Sequence, residues 1–162
     1  MAPGLDVIFC GINPGLESAR RGHNFARPGN RFWKALHGAG FTPRLLAPEE
    51  DRLLPQFGIG MTNVVDRASR GAADLSDDEL RAGARVLDGF VREWQPRVLA
   101  VVGLGAYRTG FERPKAALGL QPDGLGGRPV WVLPNPSGLN AHYQLPDLIR
   151  LFGELREWLS WS

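Results

Sequence analysis

Two short segments of this 162-residue chain carry residue types suited to chemistry on a bound ligand. Gly11-Ile12-Asn13-Pro14-Gly15 joins two glycines, which let backbone N–H groups approach a ligand closely, to a stiffening proline and one amide, Asn13. A neutral amide accepts a hydrogen bond from water but takes no proton at neutral pH, so Asn13 suits orientation of a nucleophile rather than its ionisation. A plain strand-to-helix turn has the same composition, and the pentapeptide alone leaves both readings open. Asn135-Pro136-Ser137-Gly138-Leu139-Asn140 sets one apolar residue, Leu139, among small or polar neighbours. It reads either as a turn or as a loop offering Leu139 as a wedge between stacked bases.

Charge adds a third element. Arg20, Arg21, Arg27, Arg31 and Lys34 fall in one short stretch whose only nearby opponent is Glu17. With a net charge of only +2, this local clustering is the informative feature. It fits a stripe of phosphate contacts, but taken alone it fits arginines on a solvated face better. Cys10 is the only cysteine, which excludes an intramolecular disulfide and a cysteine-ligated iron–sulfur cluster. The three histidines, His23, His37 and His142, lack zinc-ligand spacing, so neither a metal nor another cofactor is expected. No apolar run approaches the roughly 20 residues of a membrane span, and no secretory signal pattern opens the chain. A cytoplasmic protein without a membrane partner is expected.

Elements that must hold these segments alternate along the chain. Leu5 to Cys10 reads as a buried strand ending at Gly11, Asn30 to Leu36 as a short helix, and Gly60 to Val65 as a second strand. Ser76-Asp77-Asp78-Glu79 matches a capping box that opens a helix. Its buried face runs through Leu80, Ala84, Leu87, Val91 and Trp94, and Pro96 stops it. Val98 to Val102 and Val130 to Leu133 are apolar strands, and Leu148, Phe152, Leu155 and Leu159 stripe a closing helix. At 43% hydrophobic and 22% charged residues, the chain is of ordinary globular composition and fits one domain, 1–162. Short, wholly apolar strands between helices predict an α/β fold with a central, mainly parallel sheet covered by helices on both faces. Such folds bind ligands at the carboxyl ends of their strands. The segments after Cys10, Val65, Val102 and Leu133 should therefore meet at one rim.

Taken together in this order, the two loops resemble those of the mismatch-specific uracil/thymine DNA glycosylases, within the uracil-DNA glycosylase superfamily. The likeness extends to Phe25-Ala26-Arg27-Pro28-Gly29-Asn30-Arg31-Phe32-Trp33-Lys34 and to Gly60-Met61-Thr62-Asn63-Val64-Val65-Asp66-Arg67, and so covers nearly the whole chain. It departs from the bacterial pattern at Ala141, where arginine is usual, and at Asn63, where lysine is usual.

The resemblance implies a monomeric enzyme that flips a mispaired or damaged pyrimidine out of double-stranded DNA and hydrolyses its glycosidic bond. Asn13 would orient the attacking water. The Ile12 N–H, with Gly15 beside it, would meet the base, and Phe25 would stack on it. Ser18 would lie near the pyrimidine 5-position, and Asn63 and Asn135 would contact the flipped nucleotide. Gly138, Leu139 and Asn140 would fill the vacated stack, with Arg27 and Arg31 on phosphates. Asp66 follows the second strand and is open to two readings. It could stabilise a sugar cation or activate water, or it could only pair with Arg67 or cap a helix.

Two rivals remain at this point. A lesion-sensing DNA-binding module without catalysis would need the same loops. A dinucleotide-binding domain is suggested by Gly103-Leu104-Gly105 after a strand, but Arg108 stands where its third glycine belongs.

Overall fold

The structure, a computed structural model, describes residues 1–161. Strand β1 (Val7–Gly11) leads into helices α1 (Leu16–Arg21) and α2 (Phe32–Gly38), a 3-10 segment (Pro48–Phe57) and strand β2 (Ile59–Asn63). A second 3-10 turn (Ala72–Asp74), helix α3 (Asp77–Trp94), strand β3 (Val98–Val102) and helix α4 (Leu104–Gly110) follow. Strands β4 (Gly119–Leu120) and β5 (Val130–Leu133) and helix α5 (Leu145–Trp161) complete the chain.

The strands form one sheet in the order β2-β1-β3-β5-β4, parallel except for β4 against β5. Side chains alternate across it, as a period of two requires. Val7 and Phe9 of β1, with Ala100 and Val102 of β3, face a core closed by Phe32, Leu36, Leu148 and Phe152 of α2 and α5. Ile8, Cys10, Leu99 and Val101 face the opposite core, closed by Leu87, Val91, Ala106 and Tyr107 of α3 and α4. The mainly parallel sheet with helices on both faces is thus the arrangement that the wholly apolar strands predicted. Phe152 is fully buried and touches the Phe9 and Phe32 rings; its truncation to alanine should cost about 3–5 kcal/mol.

Local signals explain the element ends. The Ser76 Oγ accepts from the Glu79 N–H at 3.1 Å, and the Glu79 carboxylate accepts from the Ser76 N–H at 3.1 Å, completing the capping box. Gln95 takes a left-handed conformation before Pro96 and ends α3. Gly83, inside α3, lies so near β2's exit that a Cβ there would sit 2.1 Å from the Val64 carbonyl oxygen. The helix therefore crosses the sheet edge at a distance only glycine allows.

Some boundaries moved. The second strand closes at Asn63, yet its pairing with β1's exit continues: the N–H groups of Val64 and Val65 donate to the carbonyls of Gly11 and Ile12 at 2.9 and 3.0 Å. The short helix expected over Asn30 to Leu36 starts at Phe32, where the Asn30 side chain caps the Phe32 N–H at 2.9 Å. Helices α1 and α4 and strand β4 had no periodic signal, each being seven residues or fewer.

Candidate active site

The carboxyl ends of β1, β2, β3 and β5 meet at one rim, around the point where the chain leaves β1 for β2 on one side and later returns to β3 on the other. A parallel sheet opens a crevice at such a point. A cleft of about 610 Å³ lies there, lined by Ile12, Asn13, Gly15, Ser18, Phe25, Arg27, Asn63, Asn135, Leu139 and Asn140. Ten expected site residues, drawn from five separate stretches of sequence, thus share one cavity. A second cleft, of about 760 Å³, shares Ile12, Asn135 and Asn140 and extends toward Leu104 and His142.

Asn13 is held in one orientation. Its Nδ2 donates to the Arg67 carbonyl and to the Ser69 Oγ, each at 2.8 Å. Ser69 in turn donates to the Gly71 carbonyl at 2.8 Å, so its oxygen must accept from Asn13. Turning the amide over would set Oδ1 against the Arg67 carbonyl, acceptor on acceptor. The Asn13 Oδ1 consequently keeps its acceptor capacity for a ligand or water. The N–H groups of Ile12 and Asn13 have no backbone partner among the described residues, which leaves two donors beside that acceptor.

Phe25 adopts φ +51, a left-handed conformation costly for an aromatic residue. Three bonds hold its flanks. The Ser18 Oγ accepts from the Ala26 N–H at 3.0 Å, and the Asp51 carboxylate accepts from the Asn24 backbone and side-chain N–H groups at 3.1 and 3.3 Å. The ring stacks on Phe32 with centroids 4.3 Å apart. Gly11 lies beside both Asn63 and Phe25: a Cβ there would sit 2.6 Å from the Asn63 Oδ1 and 3.4 Å from the Phe25 ring. Backbone at Gly11 lets the Asn63 amide and the Phe25 ring converge.

The Asn135 Oδ1 accepts from the Ser137 N–H at 3.0 Å, which turns the chain into the loop carrying Leu139. Leu139 itself is 73% exposed at the loop's tip. Gly138 packs where a Cβ would meet the Gly29 carbonyl oxygen at 2.6 Å. Asn140 lines the cleft and also shapes the loop: its amide donates to the Asn135 carbonyl at 3.0 Å and accepts from the His142 N–H at 3.1 Å.

Two expected residues, Asp66 and Arg31, do not line the cleft. Asp66 is exposed, lines neither cleft and pairs with nothing among the described residues. Arg67 turns instead to Glu79, with contacts of 2.9 and 3.0 Å, and holds that carboxyl down at about 2, while Ser69 rather than Asp66 meets the cleft. Arg31 was expected on phosphate, but its guanidinium donates to four carbonyls of the Leu139 loop, those of Pro136, Ser137, Asn140 and Tyr143.

The cationic stripe divides likewise. Arg20 and Arg21 both pair with Glu17, and the Arg20 guanidinium holds that carboxyl below its ordinary value. Arg27 is exposed at the cleft with no such partner among the described residues, and so is Arg70, which sequence reasoning missed. Ser69 and Asp51 were missed as well. The one available signal was Ser69-Arg70-Gly71, a polar turn just past a strand end at the rim.

No group of three or more His, Cys, Asp or Glu side chains able to hold a metal occurs among the described residues. An oriented amide, free loop N–H groups and a strained aromatic ring thus surround a cleft beside an exposed apolar tip. With that geometry goes a family match: the model of the uracil DNA glycosylase superfamily fits residues 1–159. The chain belongs to the uracil DNA glycosylase superfamily, a group of DNA glycosylases.

Proposed function

We propose that this protein is a monofunctional glycosylase directed at uracil mispaired with guanine in duplex DNA, with weaker action on thymine or modified cytosine. The observation that carries the reading is the orientation of Asn13, whose two amide hydrogens are committed to the protein and whose Oδ1 is left to the cleft. Such an acceptor fits a water held against the sugar.

The steps follow from the residues. A target base inside a duplex is unreachable and must be turned out, and a mispaired base unstacks more cheaply, by a few kcal/mol at most. Leu139 takes the vacated place in the stack and Phe25 offers the flipped ring a face. The C1′–N1 bond then breaks with its electron pair going to the base, leaving an oxocarbenium-like sugar. The Ile12 and Asn13 N–H groups stabilise the negative charge growing on the base, as donors do in an oxyanion hole. The water oxygen held by Asn13 bonds to C1′, and its proton passes to solvent. A neutral amide supplies position without basicity, so turnover is slow.

Specificity for the base is assigned to Ser18 and Asn63. The Ser18 hydroxyl accepts from Ala26 and lines the cleft, so its hydrogen remains to donate near the 5-position. Thymine's methyl must be accommodated there, so uracil is preferred.

The test is single-turnover release from U:G, U:A and T:G duplexes and from single-stranded uracil. Free base should appear with the strand intact until hot alkali, fastest from U:G among the duplexes. Binding without release would make the protein a lesion sensor, and equal rates on all four substrates would remove the mismatch preference.

A further inference from the structure

Arg31 sits at the start of α2 and is half-buried, yet no carboxylate among the described residues faces its guanidinium. Every hydrogen bond its guanidinium makes among the described residues is to a carbonyl oxygen of the loop that carries Leu139. Nε reaches the Pro136 oxygen at 3.3 Å, Nη1 the Tyr143 oxygen, and Nη2 the Ser137 and Asn140 oxygens at 2.7 and 3.2 Å. The Arg31 backbone N–H also donates to the Pro136 carbonyl, at 3.0 Å. The last two side-chain contacts bracket the exposed tip, because Leu139 lies between Ser137 and Asn140 in sequence.

Four carbonyls turned inward on one point repel one another, and a cation is what makes that curl stable. A planar guanidinium with five donors in a fixed fork can satisfy all four, whereas an ammonium is a point charge with three donors. Gly138 presses on the Gly29 carbonyl from the same side, so the stretch before α2 forms a seat for the loop and Arg31 is its fastening.

We propose that Arg31 is a positioning residue for base flipping: it holds the Leu139 loop in the shape that can enter the base stack, and it does not act as a phosphate contact. The proposal rests on the glycosylase reading for its rate test but also has a readout that needs no catalysis. A fastened wedge matters only where a stack must be filled. Loss of Arg31 should therefore spare single strands and penalise duplexes.

The experiment compares wild type, Arg31→Lys, Arg31→Met, Leu139→Ala and the double variant Arg31→Lys/Leu139→Ala. Single-turnover release is measured from a U:G duplex and from the same strand alone. A third measurement follows fluorescence of 2-aminopurine placed beside the uracil as the protein binds the duplex, which reports unstacking whether or not the base is released. Arg31→Lys should slow duplex release by about tenfold or more, the scale of lost charge-assisted hydrogen bonds. Single-strand release should stay within about twofold, a change too small for a lost hydrogen bond, and the fluorescence rise should shrink. In the double variant Arg31→Lys should add nothing to Leu139→Ala, since a loop without its wedge gains nothing from fastening.

Equal losses on single strand and duplex, full additivity in the double variant, or a shallower salt dependence of binding would each overturn the proposal. If Arg31→Met does not fold, Arg31→Lys keeps the charge and decides the matter alone. No release by wild type from either substrate would end the glycosylase reading, while the fluorescence comparison would still judge Arg31.

Discussion

The Asn13 Nδ2 lies 2.8 Å from the Ser69 Oγ, across 56 residues of sequence, and this bond, with that to the Arg67 carbonyl, fixes which end of the Asn13 amide meets the cleft. Ser69 has only 6% of its surface exposed and passes its own hydrogen to the Gly71 carbonyl. The orientation of the Asn13 amide is thus set by the loop after β2, not by its own pentapeptide.

Ser69→Ala should release one amide hydrogen and let Asn13 rotate. We expect base release to fall about tenfold, the scale of one hydrogen bond, with affinity for abasic duplex unchanged. Asn13→Ala should cost more, about a hundredfold or above, as misplaced reactants do. Ser69→Thr, which keeps the hydroxyl, should retain most activity. Loss of binding in step with release would show that the pair shapes the loop and does not serve the reaction.

Gly11→Ala should drive the Asn63 amide away, because the new Cβ would begin 2.6 Å from its oxygen. Uracil release should drop by about tenfold or more, on the scale of a lost hydrogen bond. Asn63→Ala should also slow release, and adding Gly11→Ala to it should cost little, because the obstructed group is already gone. A double-mutant cycle of release rates measures this, and additive losses would contradict the geometry.

Arg27 and Arg70 should each neutralise a phosphate. Replacing either by glutamine should weaken duplex binding on every sequence and make the salt slope shallower by about one unit. Arg20→Gln should do less, since Glu17 already engages that guanidinium. Binding titrations between low and moderate salt discriminate the two groups.

Acid should loosen the segment that holds Asn13. Arg67, with the Ser76 N–H, brings the Glu79 carboxyl from 4.5 to about 2, and Arg44, with the Ala47 N–H, does the same for Glu50. Both are depressed, so their contribution is complete above pH 4.5 and disappears as pH falls through about 2. Both pairs are exposed and their effects small. Thermal unfolding should show a decline in that window, shallower in Glu79→Gln. The same variant should slow release modestly at neutral pH through the Arg67 carbonyl.

The sequence by itself determined the layers of this protein. Runs such as Val98–Val102 are apolar at every position, which only a sheet covered on both faces can accommodate, and the Ser76–Glu79 box and the α5 stripe are signals written within a few residues. It also determined which loops reach the rim, because parallel strands send all their exits to one side, and the motifs around Asn13, Phe25 and Leu139 could be read as a resemblance. Tertiary structure alone decided the partners. Asp66 and Ser69 are three residues apart, and nothing local tells which of them meets Asn13; the Ser69 N–H, which donates to the Pro14 carbonyl at 3.2 Å, settles it by pairing that residue with the Asn13 loop. Arg31 was read with its cationic neighbours because charge is visible in sequence. Its four carbonyl partners lie more than 100 residues away, and main-chain oxygens leave no mark on residue identity. Only the folded chain brings them to one point, where the half-buried guanidinium answers converging carbonyls that would otherwise repel one another.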